Sequence, residues 1–214
     1  MNYFAHGRHW IDDPYVLAGT AVPDWLNVVD RRVRVRSRQA SVHLSALDPC
    51  LAGVAQGIVQ HCQDDQWFHA TRAFAELSLE LCRLLREALP RDDGFRPHFV
   101  GHILVELLLD AELIAREPAR LDAYYTAIER LDPARVAQAV ASIAGRNVQD
   151  LSHFIPLFSR ERLLSDYADD AKLLFRLNQV MRRVGLPLLP REIAGLLAVA
   201  REKVSRQAQA LLAA

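Results

Sequence analysis

Lysine is almost missing from this 214-residue chain. Only Lys172 and Lys203 occur, so positive charge rests on arginine, a bias that codon usage and guanidinium chemistry explain equally well. Basic and acidic residues balance at 26 each, and with zero formal net charge no global field gathers nucleic acid or an anionic membrane. Cysteine is scarce too. Cys50, Cys62 and Cys82 are odd in number and form no close pair, which excludes a disulfide framework and points to reduced thiols in the cytoplasm. No apolar run reaches membrane-spanning length, since Ile103–Leu109 is broken by Glu106. The opening Met1-Asn-Tyr-Phe-Ala-His6 lacks the basic and continuous apolar regions of a secretory signal. Alternating β-branched residues are confined to Val33–Val35, and there is no internal repeat, low-complexity tract or linker. The expectation is a soluble cytoplasmic protein with neither nucleic acid nor membrane as partner.

What remains is helix. The apolar fraction is 51%, and the chain is long enough for a substantial core. Asp12-Asp13-Pro14 is a good helix start, and the helix it opens is expected to stop at Pro23. Residues 31–38, Arg-Arg-Val-Arg-Val-Arg-Ser-Arg, alternate like an exposed strand or extended loop. One or two long helices follow from Leu51 to about Leu89, ended by Pro90 and the loop Arg91–Gly94. Pro97 opens a further helix that ends before Pro118, with shorter ones over 119–130 and 133–144. Ser159–Val184 keeps helical spacing, and the last helix starts at Arg191 and either packs on the core or pairs with another subunit. The fold class expected is all-α, one domain over 1–214 with roughly eight helices and a metal site between helices of the N-terminal half.

That site follows from spacing. His61, Asp65 and His69 stand four residues apart and stack along one helix face, and His102 and Glu106 repeat the interval. Imidazole and carboxylate are ligands that zinc, manganese and iron select. Pairs at this interval also decorate ordinary helix surfaces. Glu106, however, lies among Ile103, Leu104, Val105 and Leu107–Leu109, where a lone carboxylate is costly unless paired or ligating a cation. Asp110 extends the stripe and reads equally as a cap or a salt bridge. Spacing gives little to His6, or to Asp24, which reads as a turn residue after Pro23. Asp64 reads as solvent-exposed or as reaching the metal. His9, His43 and His98 read as ordinary histidines. The arginines of 31–38 read first as a solvated edge and second as a dock for an acidic partner or a phosphate. Those of the 160–183 helix are expected to pair mostly with Asp166, Asp169 and Asp170.

The opening Met1-Asn-Tyr-Phe-Ala-His6, the Leu17-Ala-Gly19 to Asp24 segment and Gly57-Ile58 followed by His61-x3-Asp65 resemble the bacterial acyl carrier protein phosphodiesterases. The likeness covers motifs within roughly residues 1–110. It implies a helical fold related to the HD phosphohydrolases and a divalent metal, typically manganese. It also implies cleavage of the phosphodiester between 4′-phosphopantetheine and a serine of acyl carrier protein. It brings His6 and Asp24 into the expected ligand set beside His61, Asp65, His69, His102 and Glu106. The chain departs from the family where His69 replaces an aspartate and His102-x3-Glu106-Leu107 replaces an acidic run; it has no His-Asp dipeptide. The added imidazole suits zinc or iron better than manganese. The order of ligands is also similar to the zinc-dependent phospholipase C and P1-type nuclease group in site logic.

The function expected is therefore a phosphoester hydrolase using one or two divalent ions. Asp65 is expected to bridge the ions, Asp64 to orient an imidazole, and Arg34 to offset charge on phosphate oxygens. The other reading is a non-catalytic helical interaction protein with a structural or vestigial metal site.

Overall fold

Local chemistry sets the helix boundaries first. In the computed structural model, which describes residues 1–89, 94–148 and 150–213, the Asp13 carboxylate accepts from the Val16 amide and Pro14 occupies the first turn of a helix. Asp132 with Pro133 starts another in the same way, and Asp169 caps a third. Gly145 and Gly185 end two of these helices in the left-handed conformation that glycine adopts without strain.

In chain order the α-helices are α1 (Tyr3–Gly7), α2 (Pro14–Val29), α3 (Ser37–Ser41), α4 (Pro49–Ala70), α5 (Arg72–Ala88) and α6 (Pro97–Arg116). Then come α7 (Pro118–Glu129), α8 (Pro133–Ala144), α9 (Asp150–Glu161), α10 (Asp170–Val184) and α11 (Ala194–Leu211). Short 3₁₀ turns occupy Leu163–Ala168 and Arg191–Ile193. The chain is all-α, and among the described residues there is no strand and no helix long and apolar enough to cross a membrane. Its contacts gather into two compact units.

The first unit holds Tyr3–Gln66 and Glu117–Leu163. Here α2 and α4 cross with their backbones touching. A Cβ on Gly19 would meet the Val54 carbonyl at 2.4 Å, and one on Gly57 would meet the Val16 carbonyl at 2.1 Å. Only glycine at both positions permits that approach. The five residues of α1 are all buried, and a Cβ on Gly7 would strike Leu17 and Tyr124, so α1 is pinned against α2 and α7. Trp25, Phe158, Tyr3 and Tyr125 fill the rest of this core, with Trp25 and Phe158 edge to face at 5.3 Å.

The second unit holds Met1–Asn2, Trp67–Arg116 and Leu164–Ala214. α5 packs along α6, close at Gly101, where a Cβ would lie 2.9 Å from the Ser78 carbonyl. Leu77, Leu81 and Leu85 are buried on α5 and Leu104 and Leu108 on α6, and α11, with Leu197, Val204 and Leu211 buried, packs on both helices. The last helix thus packs on its own unit.

Two finer expectations are corrected and one alternative is decided. Pro23 lies inside α2 instead of ending it. Of the two forms expected for the arginine run, the loop is found up to Arg36: Val33 and Val35 are buried while Arg34 and Arg36 face out, with no strand among the described residues to offer hydrogen bonds. The run 159–184 is broken, since Arg162 has φ +43° and Asp169 caps a new helix. Of its arginines, Arg176 pairs with Asp166, but Asp170 takes Arg201 and Arg162 takes Asp122. The expected stop at Pro90 and the loop residues 91–93 lie outside the described residues.

Candidate metal centres

The crossing of α2 and α4 puts one particular backbone group beside one particular side chain. Because Gly19 and Gly57 let the helices touch, the Thr20 carbonyl reaches His61 Nδ1 at 2.8 Å. A carbonyl only accepts, so Nδ1 carries the proton and Nε2 presents its lone pair. Pro23, further along α2, has no N–H to offer the Gly19 carbonyl.

His6 arrives from α1 and stacks on His61, with ring centroids 4.1 Å apart and planes 25° from parallel. Its Nδ1 lies 3.0 Å from Asp64, which Gln60 holds from the other side at 2.7 Å. Each ring is thus fixed through Nδ1, by Asp64 or by Thr20. Each directs Nε2 at Asp65, His6 toward Oδ1 at 3.3 Å and His61 toward Oδ2 at 3.4 Å. Ligands around a tetrahedral ion with ~2.0–2.1 Å bonds sit about 3.3 Å apart. His6 Nε2 is buried and makes no hydrogen bond of acceptable geometry among the described residues. A nitrogen aimed into such a gap is what a cation would satisfy. His6, His61 and Asp65 therefore form a group that could hold a metal ion.

Electrostatics follow the geometry. Burial works to neutralise His6, but the hydrogen bond to Asp64 and the nearby Asp65 carboxylate outweigh it and hold the imidazole at about 9. Burial likewise opposes ionisation of Asp65, and the two histidines override it, driving its carboxyl far below the usual range. Asp65 is also the member with most access to solvent, its side chain 32% exposed against 0% for His6.

A second group, His69, His102 and Glu106, forms in the second unit from the end of α4 and the middle of α6. His69 Nε2 and His102 Nε2 lie 2.8 and 3.2 Å from the same oxygen of Glu106, and the Met1 amine stands 3.2 Å from that atom. Phe74 walls both rings at 4.8–4.9 Å. Burial would raise the Glu106 carboxyl, but the Met1 charge and the two imidazoles bring it down to about 2. The two histidines here are about one-third exposed, so this group is the more open.

The remaining candidates fall elsewhere. Asp64 stands behind His6 and outside both groups. Asp24 lies half-buried on α2, one turn past Thr20, also outside both groups. Arg34 is exposed and makes no ion pair among the described residues. Asp110 is fully buried on α6 and belongs to neither group. The Thr20 carbonyl was not foreseeable, because a backbone acceptor leaves no trace in residue type; the pair Gly19 and Gly57 was its sole signal. Comparison with protein-family models, curated proteins and solved structures gave no match for this chain.

Proposed function

We propose that this protein is a divalent-metal-dependent phosphoester hydrolase centred on His6, His61 and Asp65. The observation that carries the reading is the convergence of two imidazole Nε2 atoms on Asp65, one of them buried without a hydrogen bond. Both outer nitrogens are held by oxygen acceptors, the arrangement that orients metal-binding histidines. Two histidines and one carboxylate leave coordination positions for water and substrate. A divalent ion held there supplies Lewis-acid activation of water and of a phosphoryl oxygen.

The chain's own residues supply the rest. Asp64 and Thr20 keep both rings aimed, and the stacked histidines close the inner wall. Asp65 marks the side open to solvent, from which the ester approaches. Water adds to phosphorus, the ester P–O bond breaks, and the leaving oxygen takes up a proton. Arg34 remains the residue proposed to face the phosphate oxygens. The second group, His69, His102 and Glu106, would take a further ion of the same class. Zinc, iron and manganese all suit these donors. Among phosphodiesters, the motif resemblance of the N-terminal half makes the 4′-phosphopantetheine linkage of acyl carrier protein the first to assay.

The test is metal analysis followed by turnover. Purified protein should carry or take up zinc, iron or manganese and hydrolyse bis-p-nitrophenyl phosphate, with holo-acyl carrier protein as the specific substrate. His61→Ala and Asp65→Ala should lose activity while helical circular dichroism stays unchanged. Burial of His6 and His61 favours a second reading, a purely structural ion. Unfolding on chelation, with no turnover of any phosphodiester, would support that reading and overturn the hydrolase.

A further inference from the structure

Between Arg31 and Leu47 the chain contains five arginines and no aspartate or glutamate, although the protein as a whole is neutral. Arg32 is occupied by Asp30 through two bonds of 2.9 and 3.0 Å. Arg34, Arg36 and Arg38 are exposed and make no ion pair among the described residues. Just beyond them the chain turns three aliphatic side chains outward: Val42 is 74% exposed, Leu44 46% and Leu47 101%. These are three of the eight large apolar side chains exposed among the described residues, and they fall within six residues. Isolated exposed leucines need no explanation, but a cluster rimmed by charge marks a contact surface.

The segment is anchored to the first unit. Val33, Val35 and Ala40 are buried beneath it, so the backbone that carries the arginines is fixed. The Ser37 amide meets the thiol of Cys62, the residue after His61 on α4. The surface therefore adjoins the helix that carries His61 and Asp65.

We infer that this surface docks an acidic protein through a helix whose carboxylates flank an apolar ridge. Guanidinium groups pair with carboxylates through two parallel bonds, and all the cations here are arginines. The aliphatic trio gives the ridge an apolar seat. Residues 31–47 contain no Trp, Tyr or Phe. Membrane surfaces are gripped by interfacial aromatic residues, and single-stranded nucleic acid by stacking platforms. A duplex, which presents a wet phosphate surface, has no use for Val42, Leu44 and Leu47. The inference stands on the charge and apolar pattern and is independent of whether the metal groups hydrolyse a phosphoester.

The experiment uses the full-length protein and a synthetic helical peptide bearing a leucine ridge between two rows of glutamate. Binding is followed by fluorescence anisotropy, with phosphatidylserine vesicles and a 20-base RNA as parallel probes. The peptide should bind saturably and lose affinity as salt rises. Charge reversal in R36E/R38E should weaken it at least fivefold, and V42S/L47S severalfold. All four positions are exposed, so melting temperature and metal content should match the unaltered protein in both variants. A peptide that fails to bind, or binds the reversed variant as well, overturns the inference. So does saturable binding of vesicles or RNA in its place.

Discussion

Asp64 and Asp65 are adjacent carboxylates with different duties, and His6 is what separates them. Asp65 faces the two Nε2 atoms, while Asp64 holds the far nitrogen of His6. Removing Asp64 leaves the three donors in place but frees one ring to turn. Asp64→Ala should weaken metal affinity by roughly 10–100-fold, the usual cost of losing an orienting partner, and Asp64→Asn should recover part of it. Competition titration against a zinc chelator reads both; equal affinity in all three proteins would exclude an orienting role. Protonation gives a second handle. With His6 held at about 9, above its ordinary 6.5, its contribution to stability is complete below about 6.5 and fades as pH rises through 9. Asp65, displaced downward, contributes above its ordinary value near 4 and loses that contribution as pH falls. The metal-free protein should thus melt highest between about pH 4.5 and 6.5 and lose stability toward pH 9. A saturating divalent metal requires neutral imidazole and should remove or reverse that decline. Thermal melts with chelator and with zinc check this, and identical profiles in the two conditions would contradict it.

At the level of the helix pair, two glycines decide whether His61 meets its acceptor. A methyl group on Gly57 would sit 2.1 Å from the Val16 carbonyl, a clash with backbone that no rotamer relieves. Gly57→Ala should therefore push α2 from α4, break the bond from His61 to Thr20, and destabilise the protein by about 1–3 kcal/mol. Metal affinity at His6, His61 and Asp65 should fall with it. Gly195→Ala in α11 is the control, since nothing lies within 4 Å of the added carbon, and it should be neutral or stabilising by up to about 1 kcal/mol. Chemical denaturation and zinc titration of the two variants separate a specific crossing from a general intolerance of change. Much at this scale was legible from residues alone. Asp13-Pro14, Pro97 and Asp132-Pro133 announced their helices, and the four-residue interval announced His61 with Asp65 and His102 with Glu106. The misses share a cause. Pro23 looked like a stop because its tolerance depends on tertiary packing of α2. The acceptor of His61 is a backbone atom. Asp64 could be placed behind His6 only once α1 and α4 were together, 58 positions apart in the chain.

Across the whole chain, six of the seven expected ligands fall into two groups that could each hold an ion, and Asp24 belongs to neither. Spacing along α4 suggested a continuous stripe from His61 to His69, but the contacts divide that helix, Pro49–Gln66 going with one unit and Trp67–Ala70 with the other. Each unit then completes a group of two histidines and one carboxylate with residues from its own helices, α1 in one case and α6 in the other. Ligand identity is the same in both, while access differs, with His6 fully buried and His102 38% exposed. Buried, pre-oriented donors hold an ion tightly, whereas exposed rings without fixed outer nitrogens release it faster. Equilibrium dialysis against zinc should therefore find two equivalents per chain in two affinity classes. His61→Ala should abolish the tighter class and His102→Ala the weaker, each leaving one equivalent behind. An ion bound at a hundred times its dissociation constant stabilises the fold by about 2.7 kcal/mol, so each variant should also forfeit its own share of the zinc-induced rise in melting temperature. If either single substitution removed both equivalents, the two groups would be one interdependent centre; if neither removed any, the histidines would be packing residues and the metal reading would end there.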